Sequence, residues 1–229
     1  MPRALYVLGL VEASLETIPE DLRNTEKARR LSRRMRVPPE YLILDRSLFH
    51  EEMKLLGIES KRGRPDIVFM FLQATQYSPL NARGVLRVFV HTLNDEVIEV
   101  DPAARLPKNY YQFVNLLQHL YMNGRVPRRG RPLLKLKKNK TLREHLEELG
   151  VREPVLLHER GEPVDCRWLG ERTFPRSCLL VGGFPHGDFS PATEALAKHK
   201  VSLFGGAPLD AWIVADRIVC CLESSLGLI

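Results

Sequence analysis

No apolar stretch in this 229-residue chain approaches the roughly 18 residues of a membrane helix, so no spanning segment is expected. The short apolar run Leu5–Leu10 lacks a small-residue cleavage site and reads as a strand, not a signal peptide. Cysteine is scarce: Cys166, Cys178, Cys220 and Cys221 form no CxxC pair, and no Cys/His spacing suggests a metal. A reduced, cytoplasmic, metal-free chain is expected, with adjacent Cys220 and Cys221 on one side of a buried helix. Internal repeats, low-complexity tracts and a clear linker are missing too. The simplest organisation is one domain over residues 1–229 with a basic insertion near 125–140.

Acidic residues are absent from one stretch entirely. Between Arg125 and Lys140 stand Arg125, Arg128, Arg129, Arg131, Lys135, Lys137, Lys138 and Lys140, with no carboxylate among them. A second basic segment, Arg23 to Arg36, carries Arg29, Arg30, Arg33 and Arg34 on a helical-looking stretch. Such single-signed runs repel themselves unless a polyanion neutralises them, and displacing counterions from a phosphate backbone rewards that neutralisation. The net charge of +6 alone is modest, so its concentration in two segments is what favours nucleic acid over a solvated turn.

Hydrophobic residues make up 44% of the chain and charged residues 27%, enough to bury a real core. Residues 4–11 and 41–44 read as strands, the second leading into a helix over about 46–56. Pro65 opens a helix to about Gln76. Leu86–Thr92 alternates as a strand, turns at Asn94-Asp95, and returns as Val97–Val100. Asn109–Asn123 has a helical period closed by Gly124, and Thr141 with Glu144 forms a capping box for a helix closed by Gly150. Strands follow at Pro154–His158, Cys178–Val181 and Val201–Leu203, with a short helix from about Pro191 and a final helix after Pro208. Strands alternating with helices predict an α/β fold with a largely parallel sheet.

Two late segments break from apolar runs into glycines: Val181 through Gly182, Gly183 and Gly187 to Phe189, and Val201 through Leu203, Phe204, Gly205, Gly206, Ala207 and Pro208 to Leu209. Glycine admits backbone where a Cβ forbids it, so both loops predict a cradle for a small ligand, with Pro208 opening the next helix and its amides facing the cradle. His158 ends a strand at the expected cradle edge. Arg64-Pro65-Asp66 sets a cation beside a carboxylate at a helix start, either as an ordinary N-terminal charge arrangement or with Asp66 orienting Arg64 toward a phosphate or base edge. Arg105 to Tyr110 forms a basic loop opening a helix, suited to phosphate contact. His91, His119 and His199 read as strand-edge or helix-surface residues, and Trp212 as a core or oligomer contact.

Taken in order, Asp45-Arg46-Ser47, Arg64-Pro65-Asp66-Ile67, Ser78-Pro79-Leu80-Asn81, Val90-His91-Thr92, Arg105 to Tyr110, Gly182 to Asp188, and Val201-Ser202-Leu203 with Pro208-Leu209 resemble one family. These are the small-subunit rRNA pseudouridine N1-methyltransferases of ribosome biogenesis, of the SPOUT (α/β-knot) class. The compact length is similar to the archaeal form. The resemblance implies S-adenosyl-L-methionine as methyl donor, a C-terminal trefoil knot, a homodimer, small-subunit rRNA as substrate, and ribosomal proteins as further partners. It implies a cofactor site at His158, Glu159, Gly182, Gly183, Gly187 and Leu203 to Leu209, RNA contacts at Arg64, Arg105, Lys108 and Gln112, and catalytic roles for Arg64 and Asp66. Two other functions stay open: a non-catalytic rRNA clamp, and a SPOUT enzyme for tRNA or another base.

Overall fold

In this computed structural model the described residues are 5–58 and 60–229, with the Phe204 side chain excluded, so Ala4 of the first expected strand lies outside them. The strands are β1 (Tyr6–Ala13), β2 (Leu86–Thr92), β3 (Val97–Val100), β4 (Arg125–Val126), β5 (Leu134–Lys137), β6 (Glu153–Pro163), β7 (Ser177–Gly182) and β8 (His199–Ser202). They form one eight-stranded sheet in the order β4-β5-β3-β2-β1-β7-β6-β8. β1 is buried along its whole length and reads as an almost unbroken aliphatic run, as a central parallel strand must. Pairing is parallel from β2 through β1, β7 and β6 to β8, and antiparallel among β2, β3, β5 and β4. The fold is thus α/β with a mostly parallel sheet.

Helices α1 (Glu20–Arg23), α2 (Glu26–Met35) and α3 (Arg46–Leu55) precede α4 (Pro65–Gln76), α5 (Pro79–Ala82) and α6 (Tyr110–Asn123). Then come α7 (Leu142–Leu149), α8 (Cys166–Gly170), α9 (Pro191–Glu194) and α10 (Ala211–Ser225). α4 shows how local sequence makes an element. Pro65 occupies its first turn, where the missing N–H costs nothing, and Ile67, Val68, Phe71 and Leu72 fall on its buried side. Phe71 and Phe113 of α6 are fully buried in the main core between these helices and the sheet. The predicted capping box is present: Thr141 accepts from the Glu144 amide, and the Glu144 carboxylate accepts from the Thr141 amide at 2.9 Å.

Several expectations are corrected. Residues 41–44 are not a strand: Pro38 and Pro39 force a 3-10 turn over Pro39–Tyr41, and Ile43 makes only an isolated bridge to Thr17. Pro208 does not open the last helix, because backbone at Ala207 is extended and Asp210 is the N-cap. Cys166 and Cys221 form a disulfide, since α8 packs on α10 and brings their Cα atoms to 4.6 Å. Cys178 is a buried thiol and Cys220 an exposed one, so the adjacent pair faces two ways. His91 is buried, not peripheral: its Nδ1 accepts from the Glu12 amide at 3.4 Å, and Nε2 lies 3.1 Å from Asp95.

The basic 125–140 segment is the far edge of the sheet, and three of its eight cations are neutralised from elsewhere in the chain. Arg131 pairs with Asp101 at 2.5 Å, Lys137 with Glu99 and Glu148 at 2.9 and 2.7 Å, and Lys140 with Glu148 at 3.2 Å. Those two lysines pull the Glu148 carboxyl down to about 2.

At the opposite edge, β6 meets β8 twice. Both Leu157 and Glu162 pair with Val201, so residues 158–161 bow around it. A Cβ on Gly161 would lie 2.4 Å from the Val201 carbonyl carbon, so only glycine permits this crossing.

Candidate functional site

A cavity of about 580 Å³ opens outside the carboxyl ends of β6, β7 and β8. Its floor is the bowed segment Leu157–Arg160. One wall is the loop from Val181 to Phe189, and the other runs from Ser202 through Ala207 to the start of α10. Arg64 and Ile67 of the α4 start close the remaining side. Both glycine loops therefore border one cleft, as the sequence predicts. Gly206 shows why the second loop needs its glycines: its φ is +78°, and a Cβ there would lie 2.5 Å from the Glu159 carbonyl oxygen. The second loop thus packs backbone to backbone on the bowed β6 segment.

Of the expected cofactor residues, His158, Glu159, Gly182, Gly187, Leu203, Ala207, Pro208 and Leu209 line the cavity. Gly183, Gly205 and Gly206 do not; Gly183 packs instead on Ala13 and Leu10 of β1. The Phe204 side chain lies outside the described residues. Trp212, Asp210, Arg160 and Asp188 also line it. Trp212 therefore lies on the cleft wall and not in the core, one of the two places expected for it. An apolar period marks a side that faces inward, but it cannot tell a packed interior from a cavity.

The charged groups on the rim are ordered. Asp188 accepts from Arg160 at 2.5 Å and lies 3.5 Å from His158 Nε2. That arginine, first of all, holds the Asp188 carboxyl below its usual range. Burial, then Lys200 and Arg160, pushes His158 down. Its imidazole is accordingly neutral near pH 7, and its Nδ1 accepts from the Arg160 amide at 3.0 Å.

Arg64 makes the expected fork onto Asp66, Nε and Nη2 reaching the two carboxylate oxygens at 2.8 and 2.7 Å. Its backbone is pinned as well, the amide donating to Ser14 O at 3.0 Å. Beside the pair, Tyr110 donates to Asp45 at 2.6 Å, and burial foremost pushes its phenol far up, so it stays a donor. Arg105, Lys108 and Gln112 do not reach the cavity. Arg105 turns to the Pro102 and Ala104 carbonyls at 3.4 and 3.3 Å, Lys108 Nζ lies 5.5 Å over the Tyr77 ring, and Gln112 is exposed on the first turn of α6. Their loop is tied to the far end of α4, with Gln73 donating to Pro107 O at 3.0 Å.

The cleft suits an elongated polar molecule with one flat apolar part. Leu157, Val181, Leu203 and Val214 offer an apolar slot, Asp188 and Asp210 can face a cation, and Arg64 and Arg160 a carboxylate. A cleft outside the carboxyl ends of parallel strands is where α/β proteins take small ligands, and here Arg64 stands on its wall.

Comparison with known proteins makes the class specific. The family model described as EMG1/NEP1 methyltransferase matches residues 8–223, and the chain belongs to that family. It is 41% identical over 226 residues to the ribosomal RNA small subunit methyltransferase Nep1 of Pyrobaculum arsenaticum, covering 97% of this chain and 100% of the relative. The Nep1 of Thermococcus kodakarensis is 40% identical over 223 residues, with 96% and 99% covered. Among solved structures, Archaeoglobus fulgidus Nep1 bound to S-adenosylhomocysteine superposes with a TM-score of 0.83 at 32% identity, covering 97% of this chain and 99% of that one. Among the described residues no helix is long and apolar enough to cross a membrane.

Proposed function

We propose that this chain transfers the methyl group of S-adenosylmethionine to N1 of a pseudouridine in small-subunit rRNA, a step of ribosome biogenesis in the cytoplasm. The observation that carries this reading is Arg64 on the wall of the cavity that the glycine loops enclose. A cofactor site and a base- or phosphate-directed cation share one cleft. The relatives' names, and the S-adenosylhomocysteine in the Archaeoglobus structure, support both halves.

The residues present fit the cofactor. The apolar slot suits its adenine, the backbone of the 182–187 and 203–209 loops its polar edges, and the rim arginines its carboxylate. When bound, S-adenosylmethionine supplies an electrophilic methyl on a positively charged sulfur. The chain's task is then to align and to stabilise. N1 of pseudouridine is free of the glycosidic bond and becomes a nucleophile on losing its proton, and negative charge then spreads over the ring. Arg64, held by Asp66, stabilises that charge, because a preorganised cation in a cleft outperforms one in water. Alignment of nitrogen and methyl supplies about 7–11 kcal/mol, far more than one exposed ion pair. The base leaves its stack to enter, since a paired helix hides its N1 edge.

Arg105, Lys108 and Gln112 then hold RNA outside the cleft, from the opposite end of α4. A homodimer is supported by exposed Met70, Leu209 and Ile213 beside the cavity, and a knotted C-terminal segment by the tight β6–β8 crossing. The chain acts as one domain, with ribosomal proteins as neighbours during assembly. Calorimetric titration with S-adenosylhomocysteine should saturate, and mass spectrometry of small-subunit rRNA treated with enzyme and cofactor should show one methylated pseudouridine. Saturation without methyl transfer would leave the chain as an rRNA clamp.

A further inference from the structure

Beyond the cleft, we propose that the outward face of α2 is a second RNA-contacting surface, one that grips the phosphate backbone away from the modified base. This inference rests on the rRNA reading above.

α2 turns Ala28, Leu31 and Met35 inward and leaves Arg29, Arg30, Arg33 and Arg34 exposed, with Arg36 exposed at its C-cap. Arg29 and Arg33 are four residues apart, as are Arg30 and Arg34. Each is a like-charge pair on adjacent turns, an arrangement that destabilises an isolated helix. None of these five arginines forms an ion pair with a described residue. The 125–140 edge differs sharply, because Asp101, Glu99 and Glu148 already neutralise three of its cations. The two basic segments look alike as sequence, yet folding pairs three of the eight cations in one, Arg131, Lys137 and Lys140, and none of these five arginines in the other.

The surroundings suit a sugar-phosphate chain. Asn24 and Ser32 line a shallow groove with Arg29 and Arg33, so hydrogen-bond donors stand among the charges. Glu26, at the helix start, is the single carboxylate of that groove. The placement is also right. Met35 meets Gln118 of α6 at 3.5 Å, and α6 begins at Tyr110, beside Arg64. Eight helical residues span about 12 Å, so the face stands a few nucleotides from the cleft. Guanidiniums with no internal partner, spaced along one helix face, match phosphates better than an acidic protein patch, since no apolar anchor lies among them.

The test replaces Arg29, Arg30, Arg33 and Arg34 together by Gln, a residue of similar helix propensity. Filter binding to an intact small-subunit rRNA transcript is measured over a salt series, beside a short single-stranded oligonucleotide and S-adenosylhomocysteine. Loss of four phosphate contacts should reduce the log-log salt slope by about 3. Affinity for the transcript should fall, while affinities for the oligonucleotide and for S-adenosylhomocysteine stay at the wild-type values. An unchanged slope in a folded variant overturns the inference, and so does an unchanged slope with lost co-sedimentation on small-subunit particles, which assigns the face to a protein. Wild type with no salt-dependent affinity for the transcript would instead overturn the rRNA reading itself. A single Arg33→Gln change, expected to remove slightly under one unit of slope, serves if the quadruple variant does not fold.

Discussion

Lys61 Nζ lies 2.9 Å from the buried carboxylate of Glu12 and 3.7 Å from the centre of the Phe184 ring. The same ammonium donates to Asp188 O at 2.8 Å, while Ser190 donates to Glu12 through both its amide and its hydroxyl, at 2.9 and 2.6 Å. Burial raises the Glu12 pKa, but the Ser190, Lys61 and Thr193 contacts together outweigh it and hold the group below its usual range. Glu12 adopts a left-handed φ of 50°, a conformation that persists only where surroundings enforce it. The pair thereby links the end of β1 and the 184–190 loop to the strap that carries Arg64.

Lys61→Met therefore leaves a buried carboxylate without its cation, at a cost of about 3 kcal/mol. Thermal unfolding should shift down, and calorimetry should show weaker S-adenosylhomocysteine binding, because Phe184 and Asp188 line the cavity. Wild-type affinity in this variant would mean that the loop is held by other contacts.

Gly206→Ala places a methyl 2.5 Å from the Glu159 carbonyl on left-handed backbone. The strain of about 1–3 kcal/mol should appear in denaturant unfolding, with cofactor binding lost alongside. Gly205→Ala is the control, since its φ is also positive but a Cβ there meets nothing within 4 Å. Equal effects of the two changes would assign everything to φ and nothing to the loop contact.

Asp66→Asn tests the fork. The pair is well exposed, so stability should change by less than about 1 kcal/mol. Misplacing Arg64 should nevertheless slow methyl transfer on the order of 100-fold. A wild-type rate and wild-type RNA affinity together would remove Asp66 from the machinery.

How much of this was legible in the residues depends on reach along the chain. The Arg64–Asp66 fork spans two positions and a proline, and α4 carries its start signal and apolar spacing within twelve residues, so both could be read locally. The glycine loops announced a cradle because an apolar run ending in glycines is a local pattern. Partners distant in sequence left no such trace. Nothing near Cys166 points to Cys221, 55 residues on, and nothing near Lys137 points to Glu148 and Glu99 as its neutralisers. Residues 41–44 misled because apolar composition outweighed the prolines just before them.

The Cys166–Cys221 bridge closes a 55-residue separation between α8 and α10. On the chain-entropy account, reduction costs about 4 kcal/mol. Dithiothreitol should lower the melting temperature of wild type and leave Cys166→Ser/Cys221→Ser unmoved. Thiol titration of the unreduced, denatured protein should count two free groups, Cys178 and Cys220. Four would show that the bridge does not form in solution.

His145 sets a pH dependence. Burial against Phe89, more than any charge, pushes its pKa down to about 4, and its Nδ1 has no hydrogen-bond partner among the described residues. The unfolded chain, with an ordinary histidine, binds the proton first as pH falls. Stability is therefore complete above about 6.5 and declines between there and about 4, by about 3 kcal/mol. Chemical denaturation across that window checks the sign, and His145→Gln should flatten the profile. A slope persisting in the variant would belong to His91 and His158, which burial also lowers.

The strand order puts β8, with its cleft, at one border of the sheet and the β4–β5 ribbon at the other. Substitutions in the basic β4–β5 ribbon are thus mechanically remote from the cleft beside β8. Sequence change can therefore accumulate along that ribbon while the cleft stays untouched.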